Sequence, residues 1–375
     1  MKNDDNLLSP GYPLGEPAGD PLVASIPTQS SVPTQPSVPT QSSVLSPQSL
    51  ETSSVLSSSS VLIARYWYTF GPHQPALRVR SGATVVAQTR DARGWDERGE
   101  PIPPELKHTS EVTRLYEGNP VVGPIYVEDA EPGDALAVRI REIRLNRPTA
   151  WSSHAPRFGS LTGEYTGHRM LLNDPLPRRQ FDWELDLDRM VGRLPLPNSR
   201  IGQVEIPLHP FIGSIGVAPS RGRIEMTLSS GDFGGNMDCV DTRAGVTIYF
   251  PVWVRGAYLA FGDVHAAQGD GELCGSALET TAEVTLTLEL HKNKPLEWPR
   301  LEDDTHLMTI ANTRGLEDCL RIAQVSLVDW LVGEHGYDKW EAWQVISQVG
   351  TTRIGNVVDP NYTVVAKFPK AYLPI

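Results

Sequence analysis

Cysteine is scarce in this chain of 375 residues, with three in all, at positions 239, 274 and 319. An odd and widely spaced set makes no disulfide framework and reads as reduced thiols in a cytosol. Basic charge is also short. Lys and Arg number 33 against 45 Asp and Glu, a formal net charge of −12 with no basic stripe, so nucleic acid is not an expected partner. Apolar runs long enough to span a bilayer, about 18 residues, do not occur, so no membrane partner is expected. The opening MKNDDNLLSPGYPLG lacks the basic-then-apolar order of an export signal, and a cytoplasmic location is expected.

Residues 1–60 also lack the means to fold. From Ser25 they run SIPTQS, SVPTQP, SVPTQS and SVLSPQS, a near-repeat of Ser, Pro, Thr and Gln. Such a stretch cannot bury enough apolar surface to offset the entropy of ordering it. It is expected to be a disordered tail, with residues 61–375 forming the catalytic region.

From Val61 onward the apolar pattern has period two. In DALAVRIREIRL (134–145), Leu136, Val138 and Ile140 point one way while Arg139 and Arg141 point the other. RIEMTLS, with Ile224, Met226 and Leu228, repeats the pattern. So does AEVTLTLEL (282–290), with Val284, Leu286, Leu288 and Leu290 on one side. These are strands with one buried and one polar face. Punctuation such as Glu131-Pro132-Gly133-Asp134 supplies turns between them. The expected fold is mostly β, a β-sandwich or barrel-like architecture with a small helical part near the C-terminus. There, Leu316, Leu320, Ala323, Leu327 and Leu331 form a helical apolar stripe that Gly333 would stop. A second helix fits 338–349, with Asp338 as N-cap and Trp340, Trp343 and Ile346 on one side. Residues 354–368 return to strand. The Pro- and Arg-rich stretch 148–200 has no clear period and reads as a connection or a cover over a cleft. His73, His154 and His168 lie near Pro or Gly and read as surface residues.

Chemistry concentrates in FGDVHAAQGDGELCGSALE (261–279), which packs Asp263, His265, Asp270, Glu272, Cys274 and Glu279 among glycines. Carboxylates and imidazole crowded without a cation repel or desolvate badly, and a divalent metal resolves the conflict. FPVWVRGAYLAF (250–261) reads as a buried strand delivering Asp263 and His265, which at i and i+2 can converge on one ion. Alternatively, Asp263 orients the imidazole. In GDFGGNMDCVD (231–241), Asn236 and Asp238 share a face if extended. Each residue also has a plain structural role open to it. Asp238 can cap a turn, His265 can be a core histidine satisfied by backbone, Glu272 can be a turn residue and Glu279 a solvated carboxylate. Cys274 fits a small buried hydrophobe.

Several stretches together resemble the acetamidase/formamidase family. They are GPIYVEDAEPGD (123–134), GGNMDC (234–239), FPVWVRGAYLAFGDVHAAQGDGELCGSALE (250–279) and IPLHPFIGSIGVAPS (206–220). The layout of HQPALRVRSGATVVAQTRDARG (73–94) is also similar, and the resemblance runs from about Tyr66 to the C-terminus. It implies a hydrolase of short aliphatic amides that releases ammonia and a carboxylate. It also implies a bound divalent metal, zinc favoured and calcium possible, and a homo-oligomer acting on a small amide substrate. Carried over by motif, Asp238, His265 and Glu279 are the implied metal ligands, and Asp263 is a further candidate from its place two residues before His265. Glu272 is the general acid/base or a further ligand, and Asn236 the donor to the developing oxyanion. The chain departs from the family pattern at Asp129, where Asp tolerates a left-handed backbone if one is needed. Two other readings fit the same residues. One is a thiol hydrolase using Cys274 with Glu272 or His265 as base. The other is a non-enzymatic β-sandwich module that binds a ligand or partner through calcium.

Overall fold

The computed structural model describes residues 62–63, 65–108, 118–156, 158–161 and 177–374. The expected disordered tail, residues 1–60, lies outside the described residues, as does His168. Two large sheets hold most of the strands. A nine-stranded sheet runs in the order Leu62–Ile63, Thr84–Gln88, Ala282–His291, Ala135–Leu145, Thr247–Pro251, Arg300–Glu302, His306–Thr313, Tyr362–Pro369 and Thr351–Ile354. The second sheet includes Gly234–Asn236, Phe211–Gly216, Leu259–His265 and Val121–Val127 as successive neighbours. The mostly-β expectation holds.

The alternation read in the sequence supplies the core. Leu136, Val138 and Ile140 from one strand and Val284, Leu286 and Leu288 from its neighbour are fully buried. They belong to one hydrophobic cluster with Ile125, Ile212, Ile215, Phe261 and Val264 of the second sheet. Burying each such aliphatic side chain contributes about 1.5–3 kcal/mol. Asp129 stands at φ 63° in the turn before Pro132, a left-handed position that Asp tolerates.

Several elements differ from expectation. Residues 250–261 are not one strand. Thr247–Pro251 lies in the nine-stranded sheet and Leu259–His265 in the other, with a turn through left-handed Gly256, Ala257 and Tyr258 between them. The 224–228 strand shrinks to Glu225–Met226 paired with Thr69–Phe70, and Ile224 is exposed. Residues 148–200 contribute three strands, Thr149–His154, Arg179–Asp186 and Val191–Leu196, to a small antiparallel sheet completed by Gly202–Pro207.

The first helix spans Leu316–His335. It passes through Gly333 and stops at Gly336, whose φ of 71° ends the helix without a Cβ penalty. Its buried stripe is Cys319, Ala323, Leu327, Trp330 and Leu331, whereas Leu316 and Leu320 lie at the solvent edge. The second helix, Lys339–Val349, has the expected N-cap, since Asp338 accepts from the amides of Trp340 and Glu341. It buries Ala342 and Ile346 and leaves Trp340 and Trp343 exposed. No helix among the described residues is long and apolar enough to cross a membrane.

Candidate metal centre

Three adjacent strands carry the site. Phe211–Gly216 pairs antiparallel with Leu259–His265 on one side and Gly234–Asn236 on the other, so that Ser214 faces both Gly262 and Asn236. Glu279 continues the row, bridging His265 on one side and Trp151 on the other. Close approach is possible because residue 213 is glycine. A Cβ there would sit 2.8 Å from Asp238 Oδ1, from the Asp263 carbonyl oxygen and from His265 Cε1. Asp238, Asp263 and Glu272 stand at φ 42°, 57° and 47°. Left-handed backbone at a residue other than glycine costs about 1–2 kcal/mol, and three such positions in one cluster mark a functional constraint.

These placements bring all six sequence-derived residues together. Asp238, Asp263, His265, Glu272, Glu279 and Asn236 are all buried. Three sets of ligand atoms each lie within 4.8 Å of one another: Asp238, Asp263 and His265; His265, Glu272 and Glu279; Asp238, Glu272 and Asp359. Asp359 was not anticipated. It lies in the loop before the strand Tyr362–Pro369, inside a stretch read from sequence as continuous strand. No nearby pattern pointed to it. Cys274, in contrast, is exposed and does not line the cavity over the cluster, so the small-buried-hydrophobe expectation does not hold.

Hydrogen bonds fix the acids. Asn236 Nδ2 donates to Asp238 Oδ2 at 3.0 Å and to Asp359 Oδ2 at 2.8 Å. Asn119 Nδ2 donates to Asp263 Oδ2 at 3.0 Å and to Asn236 Oδ1 at 3.1 Å. Ser214 Oγ also donates to Asn236 Oδ1. The opposite oxygens, Asp238 Oδ1, Asp263 Oδ1 and Glu279 Oε2, are buried and accept no hydrogen bond. A buried charged oxygen without a donor costs more than a lost hydrogen bond, and a cation is the partner that suits several at once.

The histidine points to the same conclusion. Gln268 Nε2 donates to the carbonyls of Asp238 at 2.7 Å and Gly355 at 3.1 Å, which fixes the orientation of its amide. Its Oε1 must then accept from His265 Nδ1, 3.0 Å away. With the hydrogen on Nδ1, Nε2 faces Asp263 Oδ1 and Glu279 Oε1, each at 3.5 Å. A lone pair aimed at two carboxylates is repulsive, and positive charge there, a proton or a metal ion, removes the conflict. Gln268 lies three residues after His265 inside the HAAQ run, so this role was within reach of the sequence.

The electrostatics reflect the crowding. Burial alone would push the His265 imidazole down, but the Glu279 and Asp263 carboxylates hold it up at about 10. Burial pushes Asp238 and Glu272 well above the ordinary carboxylate range, reinforced for Asp238 by Glu272 and for Glu272 by Asp359. Burial likewise raises Glu279 to about 8 and Asp359 to about 6. Carboxyl groups that resist ionisation together are those a divalent cation would stabilise as anions.

A cavity of about 450 Å³ opens onto the cluster. Asp238, Asp263, Glu272, Glu279 and Asp359 line it, together with Arg93, Trp151, Phe158 and Arg178 among others.

Residues 70–227 and 222–306 match the model of the acetamidase/formamidase family, and the chain belongs to that family. It is similar to the acetamidase of Yersinia enterocolitica, a solved structure, at 35% identity and a TM-score of 0.72, covering 86% of this chain and 94% of that one. It is also 26% identical over 220 residues to the formamidase of Methylophilus methylotrophus, covering 46% of this chain and 51% of that protein. With the acetamidase of Mycolicibacterium smegmatis the figure is 28% over 220 residues, covering 45% and 53%. The chain thus spans about half the length of these curated relatives.

Proposed function

We propose that this chain is a metal-dependent hydrolase of the C–N bond of short primary amides, releasing ammonia and a carboxylate. The observation that carries the reading is the pair of buried ligand sets that share His265, one with Asp238 and Asp263 and one with Glu272 and Glu279, in which Asp238 Oδ1, Asp263 Oδ1 and Glu279 Oε2 have no donor. Asp238, Asp263, His265 and Glu279 would hold the ion. An imidazole among the donors favours zinc over calcium. When bound, the ion supplies Lewis acidity that polarises an amide carbonyl and makes water a competent nucleophile near neutral pH.

The chain's own residues do the rest. Gln268 keeps the hydrogen on His265 Nδ1, so that Nε2 is turned toward the acids. Asn236 spans Asp238 and Asp359 and holds both carboxylates in place. Since its amide hydrogens serve those two acids, its proposed role is positioning rather than donation to an oxyanion. Glu272 lines the cavity and takes a proton from the attacking water. It returns the proton to the leaving nitrogen, which cannot depart as an amide anion.

The test is ammonia release from formamide, acetamide and butyramide by the metal-loaded protein, then after chelation and after reloading. Turnover should vanish with the metal and return with it. Full activity after verified metal removal would defeat the metal mechanism. Metal binding with no turnover of any amide would favour a non-enzymatic binding module.

A further inference from the structure

We infer that the preferred substrate is a primary amide bearing a carboxylate at its far end, recognised by Arg93 and Arg178. This rests on the amidase reading and names the substrate class for that site. Every carboxylate among the described residues lining the cavity belongs to the acid cluster, and the only cationic side chains among its described lining residues are Arg93 and Arg178. Neither has a carboxylate partner among the described residues. A two-carbon amide carries no charge for either arginine to pair with.

Arg93 is held in place. Its guanidinium carbon lies 3.6 Å from the centroid of the Trp151 ring, and Nη1 donates to Gln180 Oε1 at 2.8 Å. The Trp151 Nε1–H donates in turn to Asp91 Oδ2 at 3.2 Å. Asp91 is fully buried and also accepts from the Arg93 amide at 3.0 Å and from Arg147 Nη2 at 2.9 Å. A stacked guanidinium with N–H groups to spare is preorganised for a carboxylate, because little side-chain freedom is lost on binding.

The platform is also close to the chemistry. Trp151 N donates to the Glu279 carbonyl at 3.1 Å and Glu279 N donates to that of Trp151 at 2.8 Å. The backbone of the stacking residue is therefore one strand spacing, about 5 Å, from that of a proposed ligand.

The experiment compares glutaramate with valeramide, its neutral counterpart of equal carbon number, using the metal-loaded full chain. Both kcat/KM and calorimetric binding are measured. Glutaramate should be favoured by about tenfold or more, the size of one charge-assisted hydrogen bond. That ratio should collapse toward one in Arg93→Gln and shrink in Arg178→Gln, with circular dichroism confirming that both variants fold. Equal treatment of the two amides by the wild-type chain, or a ratio that neither variant changes, would overturn the inference. If no amide is turned over the amidase reading fails, and the binding ratio still decides whether the two arginines select a carboxylate.

Discussion

His265 Nδ1 lies 3.0 Å from Gln268 Oε1, and that contact determines which ring nitrogen faces Asp263 and Glu279. Gln268→Leu keeps the volume and removes the acceptor. Metal affinity, measured against a competing chelator, should fall by about 10–100-fold, as for other partners that orient a ligating histidine. Unchanged affinity would show that Gln268 plays no part in presenting His265.

Gly213 faces the cluster with no room for a methyl group, since Asp238, Asp263 and His265 would each lie 2.8 Å from the added Cβ. Gly213→Ala should cost about 1–3 kcal/mol of stability through overpacking. It should also lower metal content, which elemental analysis of the purified variant would show. A fully metallated and stable Gly213→Ala protein would contradict the packing described.

Glu272 is the proposed proton carrier and lines the cavity. Glu272→Gln should lower kcat by about 10²–10⁴-fold, the range typical of a lost general acid–base group. Metal bound through Asp238, Asp263, His265 and Glu279 should be retained. Loss of metal in step with loss of activity would make Glu272 a ligand instead.

Asp91 and Arg147 form a buried ion pair at 2.9 Å. Asp91→Ala leaves the guanidinium buried without its partner, which should cost about 3–5 kcal/mol in a denaturant titration. A loss below about 1 kcal/mol, the range of an exposed pair, would mean that water replaces the carboxylate.

Asp303 provides a pH test away from the site. Burial alone would push its carboxyl up, but hydrogen bonds from Thr305 N, Thr305 Oγ1 and His306 N, with Arg243 nearby, hold it down at about 2. A depressed value means that the ionised form stabilises the fold. The contribution is complete above the unfolded value, about 4, and is lost as pH falls from there through 2. Asp303→Asn should therefore be less stable than wild type at pH 7, with the gap closing toward pH 2. A gap that is constant with pH would mean that the turn does not depend on the charge.

Much of this was legible from residue order. Strict alternation revealed Ala135–Leu145 and Ala282–His291, because a sheet with one buried face imposes period two. Asp338 was readable as an N-cap because its function is local. The dense GDVHAAQGDGE run pointed to the candidate site because so many charged groups in so few residues are costly to bury together. Other features depended on long-range packing. Trp340 and Trp343 matched the helical period yet stayed exposed, since the apolar pattern does not say which side meets the strands. Residues 250–261 looked like one apolar strand, but the left-handed Ala257 and Tyr258 divide it between two sheets. Asp359 meets Asn236 across 123 positions of sequence. No spacing rule covers that distance, and only the folded sheet joins them.

That span has a bearing on biosynthesis. Asp359 emerges from the ribosome long after Asn236 and Asp238, so in a nascent chain Asn236 lacks one of its carboxylate acceptors until that loop is made. A polypeptide truncated ahead of position 359 would leave Asn236 with one of its two carboxylate acceptors missing.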